Sequence, residues 1–226
     1  MAIAGIPLHA LRVLVCVVAL AIADRPAAQL LAAAALYFAL FTVMHDLMHG
    51  AYGLTRRTNE LWLSLVGFAQ LGSGHGMRRM HLHHHARPLA DSDVEGAGAR
   101  ESMLGALALG PKTFIALRVA GFRKAPARER RVQVIEHVVA IVAIAIAVLQ
   151  NASPALRAYA LTTLALQILA PLWASHVPHN TPEWLAACAK RLSFVRSPIL
   201  LSLAYHDLHH RHPKVPCHRL GDLAEA

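Results

Sequence analysis

The sequence predicts an all-α integral membrane protein with four transmembrane helices, paired as two hairpins, and a cytoplasmic helical cap. Its composition supports this prediction. Hydrophobic residues make up 56% of the 226 residues and charged residues only 15%, whereas about a quarter of a soluble globular chain is charged. The mean hydropathy of +0.42 is also high for a soluble domain. In addition, the apolar residues are concentrated in four long stretches.

These four apolar stretches predict the transmembrane helices, because a helix needs roughly 20 apolar residues to cross a bilayer. The first stretch is slightly short for this, and the other three are long enough. They run over residues 7–23, 27–44, 132–150 and 155–175. The connections "DRP" at 24–26 and "NASP" at 151–154 are too short for anything but tight turns. We therefore expect two helical hairpins with their turns on one side of the membrane, in a single domain covering 1–226.

The basic residues indicate which side of the membrane is cytoplasmic. Of the 22 lysines and arginines, all but Arg12, Arg25 and Arg157 lie on the side opposite the two turns. The positive-inside rule makes that side cytoplasmic, so residues 45–131 and 176–226 form the cap. This asymmetry also explains the net charge of +9. No basic motif of a nucleic-acid-binding protein accompanies it, and we expect no nucleic-acid partner.

The cysteines exclude several kinds of site. Cys16, Cys188 and Cys217 are scattered, without a CxxC pair, so they predict neither a disulfide framework nor a zinc knuckle. Free thiols are consistent with a reducing cytoplasm. The sequence also lacks an HExxH box, which argues against a membrane zinc hydrolase.

Most of the 16 histidines fall in four tight groups of the predicted cap. The first group, "HDLMHG", places His45 and His49 four residues apart and so on one face of a helix. The second, "HLHHH", contains an HxxHH pattern of His81, His84 and His85. The first group alone is weak, because a chance pair on an exposed helix would explain it as well. For the second, a solvated basic patch or nonspecific metal binding is the alternative.

The other two groups strengthen a functional interpretation. His176 and His179 lie where the fourth predicted span leaves the bilayer, and ionisable residues at that depth are usually functional. His206, His209 and His210 repeat the HxxHH spacing in "YHDLHHRHP". A second copy of this uncommon pattern is hard to attribute to chance.

Nine histidines therefore have spacings suited to metal binding, and one metal needs three or four protein ligands. They are His45, His49, His81, His84, His85, His179, His206, His209 and His210. Nine imidazoles suggest two metals. Imidazole suits zinc, iron, copper and nickel, so the ligand type does not select the metal. A site at the edge of the bilayer suggests a lipid-like substrate.

The order HxxxH, HxxHH, HxxHH on paired transmembrane hairpins resembles the membrane fatty acid desaturase superfamily. This group includes acyl desaturases, acyl and alkane hydroxylases, and carotenoid ketolases and hydroxylases. The resemblance implies a non-haem di-iron centre that uses O2 as co-substrate to attack an unactivated C–H bond. It implies that the nine histidines are the iron ligands, with no further catalytic residue. His176 is a possible additional ligand, because Ser175 stands where acyl desaturases often have asparagine.

The resemblance leaves the substrate open. The methionine in "HDLMHG", the "HVPHN" segment and the C-terminal tail are similar to carotenoid ketolases. The tail is equally similar to bacterial acyl-lipid desaturases, and Asn180 departs from the arginine that ketolases have. A fatty acyl lipid is the favoured substrate and a carotenoid the alternative, with desaturation, hydroxylation and ketolation all open.

Carboxylates beside the boxes are candidates to orient the ligands, because a ligating imidazole usually donates its other N–H to a carboxylate or carbonyl. Asp46 and Asp207 are the main candidates, while Asp91 and Asp93 are as likely to be loop residues. His75, flanked by glycines, suits a turn. Of the remaining histidines, His9 and His137 suit local bonds at span ends, and His212 and His218 suit solvent.

Electrons must come from outside the chain, because no haem-binding or flavin-binding segment is visible. A ferredoxin or a cytochrome with its reductase is the expected donor, with Arg56, Arg57, Arg78 and Arg79 as possible contacts on the basic cap. The expected location is a bacterial inner membrane with the site on the cytoplasmic side. A membrane metal transporter is the alternative of another class, although its histidines would line a path across the bilayer.

Overall fold

The structure, a computed structural model, describes residues 6–149, 152–195 and 198–224. Every regular element in these residues is helical. The α-helices are α1 (Ile6–Ile22), α2 (Pro26–Met48), α3 (Arg56–Ala69), α4 (Gly74–Ala86), α5 (Met103–Ala108), α6 (Gly110–Lys124), α7 (Ala127–Leu149), α8 (Pro154–Ile168), α9 (Val177–His179), α10 (Glu183–Arg191), α11 (Pro198–Arg211) and α12 (Leu220–Ala224). Short 3-10 helices lie at Glu95–Arg100, Ser193–Val195 and Cys217–Arg219, and a π-helical segment covers Pro171–His176.

Two helices, α2 and α7, are long and apolar enough to cross a membrane, and each has 23 residues. A third candidate is the pair formed by α8 and the segment Pro171–His179, which are bent by 53° relative to each other. Helix α1 is apolar but has only 17 residues. The prediction of an all-helical protein with apolar helices that could span a membrane is therefore confirmed for the described residues. Residue 150, the end of the third predicted span, lies outside the described residues.

The fourth predicted span is bent because of Pro171. Proline has no backbone N–H and its ring clashes with the preceding turn, so it kinks a helix. After Pro171 the chain continues as a π-helix, and the indole N–H of Trp173 donates to the Leu166 carbonyl at 2.7 Å. The bend directs the end of this segment, which carries His179, toward His206 of α11.

Helices α1 and α2 form the first hairpin. Pro26 opens α2 at a position where its missing N–H costs nothing. The side chain of Gln29 donates to the Ala23 carbonyl at 3.0 Å and so satisfies the end of α1. Buried apolar side chains of both helices, such as Leu20 and Leu36, belong to one core cluster. This packing fixes the C-terminal end of α2, where the first histidine pair lies.

Close backbone approaches position the histidine-bearing helix α4 and the segment after it. A Cβ atom at Gly74 would collide with the Leu63 carbonyl of α3, so only glycine permits this crossing. Likewise, a Cβ atom at Gly98 would collide with the Pro171 carbonyl. Gly74 therefore allows α4 to pack closely on α3, and Gly98 allows the 3-10 helix Glu95–Arg100 to pack closely on the bent segment.

The C-terminal helices return to the same end of the molecule. Helix α11 packs on α10 and α12 through a small apolar cluster that includes Leu201, Tyr205 and Leu220. Tyr205 has non-helical backbone angles (φ −136°, ψ 24°), so α11 kinks immediately before its histidines. The C-terminal parts of α2, α4 and α11, together with α9, consequently meet at one place.

Candidate metal centre

Five histidines form the first cluster, and one donor atom of each lies within 4.8 Å of those of all the others. They are His45, His49, His81, His85 and His209, from α2 and its C-cap, α4 and α11. The Nε2 atoms of His49 and His81 are 2.9 Å apart, and those of His85 and His209 are 3.1 Å apart. Hydrogen bonds would join imidazoles in pairs, whereas here five donor atoms converge.

Four histidines form the second cluster by the same criterion: His84, His179, His206 and His210. The Nε2 atom of His206 lies 3.0 Å from that of His179 and 3.2 Å from that of His210. The two clusters adjoin each other. His85 of the first and His210 of the second stack with ring centroids 4.3 Å apart.

Each HxxHH box is divided between the two clusters. On α4, His81 and His85 enter the first cluster and His84 enters the second. On α11 the assignment is reversed, because His206 and His210 enter the second cluster and His209 the first. In both boxes the i and i+4 residues share a cluster and the i+3 residue joins the other. The spacing therefore serves two adjacent sites from one helix face.

The donor geometry is compatible with metal ions. Two nitrogens that bind one ion at about 2.1 Å lie roughly 3.0 to 3.4 Å apart, depending on the coordination geometry. The four Nε2 separations given above lie between 2.9 and 3.2 Å. Each cluster therefore brings enough imidazole nitrogens together to hold one ion.

Two carboxylates orient the histidines of α4. Glu95 lies 2.6 Å from Nδ1 of His81, and Asp93 lies 2.7 Å from Nδ1 of His84. An Nδ1–H bonded to a carboxylate leaves the lone pair on Nε2, which is the atom facing the cluster. Asp93 is fully buried and also accepts the backbone N–H groups of Leu89 and Gly96. The sequence had left Asp93 undecided between this role and a loop.

Glu95 was missed by the sequence analysis. It lies 14 residues after His81 and begins a 3-10 helix. The available signal was the acidic run "DSDVE" directly after the second box. Which of its three acids reach the histidines depends on how the segment folds back, and Asp91 remains exposed.

Asp46 and Asp207, the two carboxylates favoured from the sequence, do not bond to histidines as closely as Glu95 and Asp93 do. An oxygen of Asp46 is 3.6 Å from Nδ1 of His45, and the same oxygen accepts the backbone N–H of Cys217 at 3.1 Å. Nδ1 of His45 is closer to the Cys217 sulfur, at 3.2 Å. The Asp207 side chain is exposed, and within the described residues it forms no hydrogen bond with a histidine.

His176 lies outside both clusters. Its Nδ1 contacts the Gly98 carbonyl at 3.3 Å, and the neighbouring Ser175 hydroxyl accepts the backbone N–H of Ala99. These contacts tie the bent segment to the 3-10 helix that carries Glu95. Ser175 and His176 therefore stabilise the position of the segment that carries Glu95, and neither belongs to a histidine cluster.

The expectation of a solvent-facing His218 was wrong. His218 is only 7% exposed and packs edge-on against His9, with ring centroids 5.6 Å apart. Donor atoms of His9, Asp46 and His218 lie within 4.8 Å of one another. Helix α1 and the segment around His218 pack together here, and no local pattern signals a contact between residues so far apart in sequence. His212 is exposed as predicted.

His75 is also buried, although the sequence suggested a turn residue. It begins helix α4, with Nδ1 2.7 Å from Glu136 and Nε2 2.6 Å from Glu60. Burial alone would lower the pKa of His75, but the hydrogen bonds with the two carboxylates raise it. His75 thus connects α4 with α3 through Glu60 and with α7 through Glu136.

Several clustered imidazoles outside the spanning helices have lowered pKa values, whereas the hydrogen bond with Asp93 raises the pKa of His84 although burial alone would lower it. Burial, together with repulsion from neighbouring histidines, lowers the pKa of His85 and of His206 to about 2 and that of His210 to about 4. Metal ions bind the deprotonated nitrogen of a neutral imidazole. These rings are therefore in the metal-binding form at neutral pH.

Two apolar cavities adjoin the histidines. The larger, of about 200 Å³, is lined by Phe38, Trp173 and Leu203 together with His206 and other cluster residues. The smaller, here named the inner cavity, has about 110 Å³. Both are lined by Phe41, Trp173, Ala174, His81 and Glu95. An apolar ligand in this space would lie directly beside the first cluster.

The fold and the site define a membrane protein of apolar helices with a two-part histidine site suited to metal ions. The family model described as fatty acid desaturase matches residues 24–226, which include all nine clustered histidines. The chain belongs to this family, and the resemblance inferred from the histidine boxes is confirmed. The family is one of oxidoreductases that are generally iron-dependent. Comparison with curated proteins and with solved structures gave no match.

Proposed function

We propose that the protein is a membrane di-iron oxidoreductase that uses O2 to desaturate or hydroxylate a fatty acyl chain. The observation that carries this proposal is the convergence of nine histidines in two adjoining clusters of five and four. Its support is the fatty acid desaturase family match over residues 24–226. The apolar cavities beside the clusters provide space for a hydrocarbon chain.

The nine clustered histidines would hold the two iron ions, one ion in each cluster. When bound, the iron pair would supply the O2 activation needed to attack an unactivated C–H bond. The protein's part is ligation, orientation and the exclusion of water. Glu95 and Asp93 hold Nδ1 of His81 and His84, so these rings cannot rotate away from their clusters.

The apolar walls would position the substrate carbon. Phe41 and Trp173 pack edge-to-face with ring centroids 4.9 Å apart and line both cavities. A methylene group between this wall and His81 would be held close to the first cluster. The aromatic rings also keep water from that position, because they offer few hydrogen-bonding partners.

For the membrane arrangement we propose four spans: α1, α2, α7 and the bent unit α8 to α9. The arginine-rich side then faces the cytoplasm of a bacterial inner membrane. A short α1 can span where the bilayer thins or flanking side chains reach the interface. This arrangement places the histidines at the cytoplasmic rim.

The electron donor would dock on the basic cap, and the free or paired state of each arginine bears on which ones would contact it. Arg78 pairs with Glu60 and Arg79 with Glu129. Arg56 and Arg57, at the start of α3, are exposed. We therefore propose Arg56 and Arg57 as donor contacts, because their charges are available to an acidic ferredoxin or cytochrome.

Metal analysis of the detergent-purified protein tests the proposal. We expect about two irons per chain and O2 consumption that requires both a reductant and an acyl lipid. His84→Ala should remove most of the activity while membrane insertion is kept, and the exposed-residue control His212→Ala should change neither. Bound zinc without O2 consumption, or metal flux across vesicles, would favour a metal-binding protein or transporter instead. Turnover of carotenoids but not of acyl lipids would select the carotenoid alternative.

A further inference from the structure

Arg118 stands between the inner cavity and the outside of the molecule. Together with His137 and Gln167 it lines the inner cavity, whose other wall reaches His81. On the outer side, Arg118 and His137 also line an open groove between α6 and α7. Arg118 and His137 therefore line both the groove and the inner cavity, and the inner cavity reaches His81 of the first histidine cluster.

Among the described residues, Arg118 bonds only to neutral groups. Its guanidinium donates to the Phe114 carbonyl at 2.7 Å and to the side-chain oxygen of Gln167, and it lies 3.5 Å from the centre of the Phe114 ring. All these partners are neutral. No carboxylate of the described residues lies within ion-pair distance of Arg118, in contrast to Arg78 and Arg79.

The surroundings of Arg118 favour an anion. Burial lowers the pKa of Arg118 to about 10, so the side chain remains a cation at neutral pH. A partly buried cation without a counter-ion is costly. The groove contains a second cation, Arg123, and none of the described residues that line it is acidic. Among the described residues that line the inner cavity, the one acid is Glu95, which is already bonded to His81.

We propose that Arg118 binds the anionic head group of an acyl substrate whose chain fills the inner cavity and extends toward the histidines. This inference rests on the proposed acyl-oxidising function and names its substrate class as an acyl chain ending in a carboxylate or phosphate. An uncharged carotenoid would supply no counter-ion for Arg118. The apolar lining, including Tyr37, Phe41 and Met80, suits the hydrocarbon part.

Equilibrium binding of a fluorescent polyene fatty acid to the purified full-length protein, without reductant, tests this inference. We expect Arg118→Gln to weaken binding of the free acid about tenfold or more, because a hydrogen bond to a charged group contributes roughly 1.5–3 kcal/mol. Binding of the methyl ester of the same probe should be unchanged. Arg118→Lys should restore part of the affinity for the acid.

Lys112→Gln is the matched control, since Lys112 is an exposed cation of the same helix that lines neither space. Competition by palmitate and by lysophosphatidic acid then distinguishes carboxylate from phosphate as the head group. Equal weakening of acid and ester by Arg118→Gln, or no weakening of either, would overturn the inference.

This measurement needs no turnover, so it separates the two proposals. Discrimination between acid and ester in a protein that fails to oxidise acyl chains would keep the Arg118 site and reject the enzymatic proposal. Normal oxidation of acyl chains with no role for Arg118 in binding would keep the enzymatic proposal and reject the Arg118 site.

Discussion

Nδ1 of His81 lies 2.6 Å from a carboxylate oxygen of Glu95, while Nε2 of the same ring lies 2.9 Å from Nε2 of His49. One imidazole therefore connects an acid to the first cluster. His84 repeats the arrangement, with Asp93 on Nδ1 and its other side toward the second cluster. Each cluster consequently contains one ring that a buried or half-buried carboxylate holds in place.

The first prediction concerns these carboxylates. Asp93→Asn and Glu95→Gln should each weaken metal retention about 10–100-fold, because residues that orient a ligand affect metal affinity to this extent. Metal release to a chelator, followed by elemental analysis, measures the effect. Asp91→Asn is the control, since Asp91 is exposed in the same segment. If all three variants release metal at one rate, the carboxylates have no orienting role.

The divided boxes predict which metal each variant loses. His84→Ala should reduce occupancy of the second cluster and His85→Ala that of the first, so each should retain about one metal. His83→Ala provides a control from the same box, because His83 belongs to neither cluster and contacts Lys124. Elemental and spectroscopic analysis of the three variants would show this pattern. Simultaneous loss of both metals in either variant would contradict independent sites.

Trp173 should determine how far an acyl chain extends past the metal centre. Trp173 lines both apolar cavities, and Trp173→Leu would remove much of this shared wall. The position of oxidation along the chain should therefore shift, or longer chains should be accepted. Mass spectrometry of the fatty acids from membranes with each variant measures the products. Trp184→Leu is the control, as Trp184 is 69% exposed. An unchanged product pattern with Trp173→Leu would show that this wall does not contact the substrate.

His75 should contribute stability that depends on pH. Because the pKa of His75 is raised above the ordinary value of 6.5, its protonated ring stabilises the fold below about pH 6.5. That contribution is lost as the pH rises through the raised pKa. The difference in Tm between the wild type and His75→Gln should thus be larger at pH 6 than at pH 9. The exposed His212→Gln should show no such trend, and a constant difference for His75→Gln would refute the charged-ring explanation.

Much of the metal site could be predicted from the sequence, because its signals are local. The spacings of His81, His84 and His85 and of His206, His209 and His210 place donors on one side of a helix, whatever the rest of the chain does. The apolar lengths of α2 and α7 are similarly local. The bend at Pro171 was not predicted, because residues 155–175 were read as one continuous span and a single proline does not fix the bend angle.

Residues that act through distant contacts were harder to predict. Glu95, His75 and His218 each reach a partner on another element, and their neighbours in sequence do not indicate which element that is. In the sequence, Arg118 resembled any interfacial arginine. Only the packing of the helices shows that it lines both the inner cavity and the open groove. Charge and burial of such residues depend on what surrounds them in space.

The sequence by itself determined the helical membrane character, the nine histidines that converge and the family. These depend on apolar length and on the 3.6-residue helical period, which are properties of short segments. Only the tertiary structure decided how the boxes divide between two clusters, which acids hold the rings and which cation faces the inner cavity. The physical reason is that these features arise from contacts between helices far apart in the chain, and the angles and close approaches of those helices are set by the packing of the whole molecule.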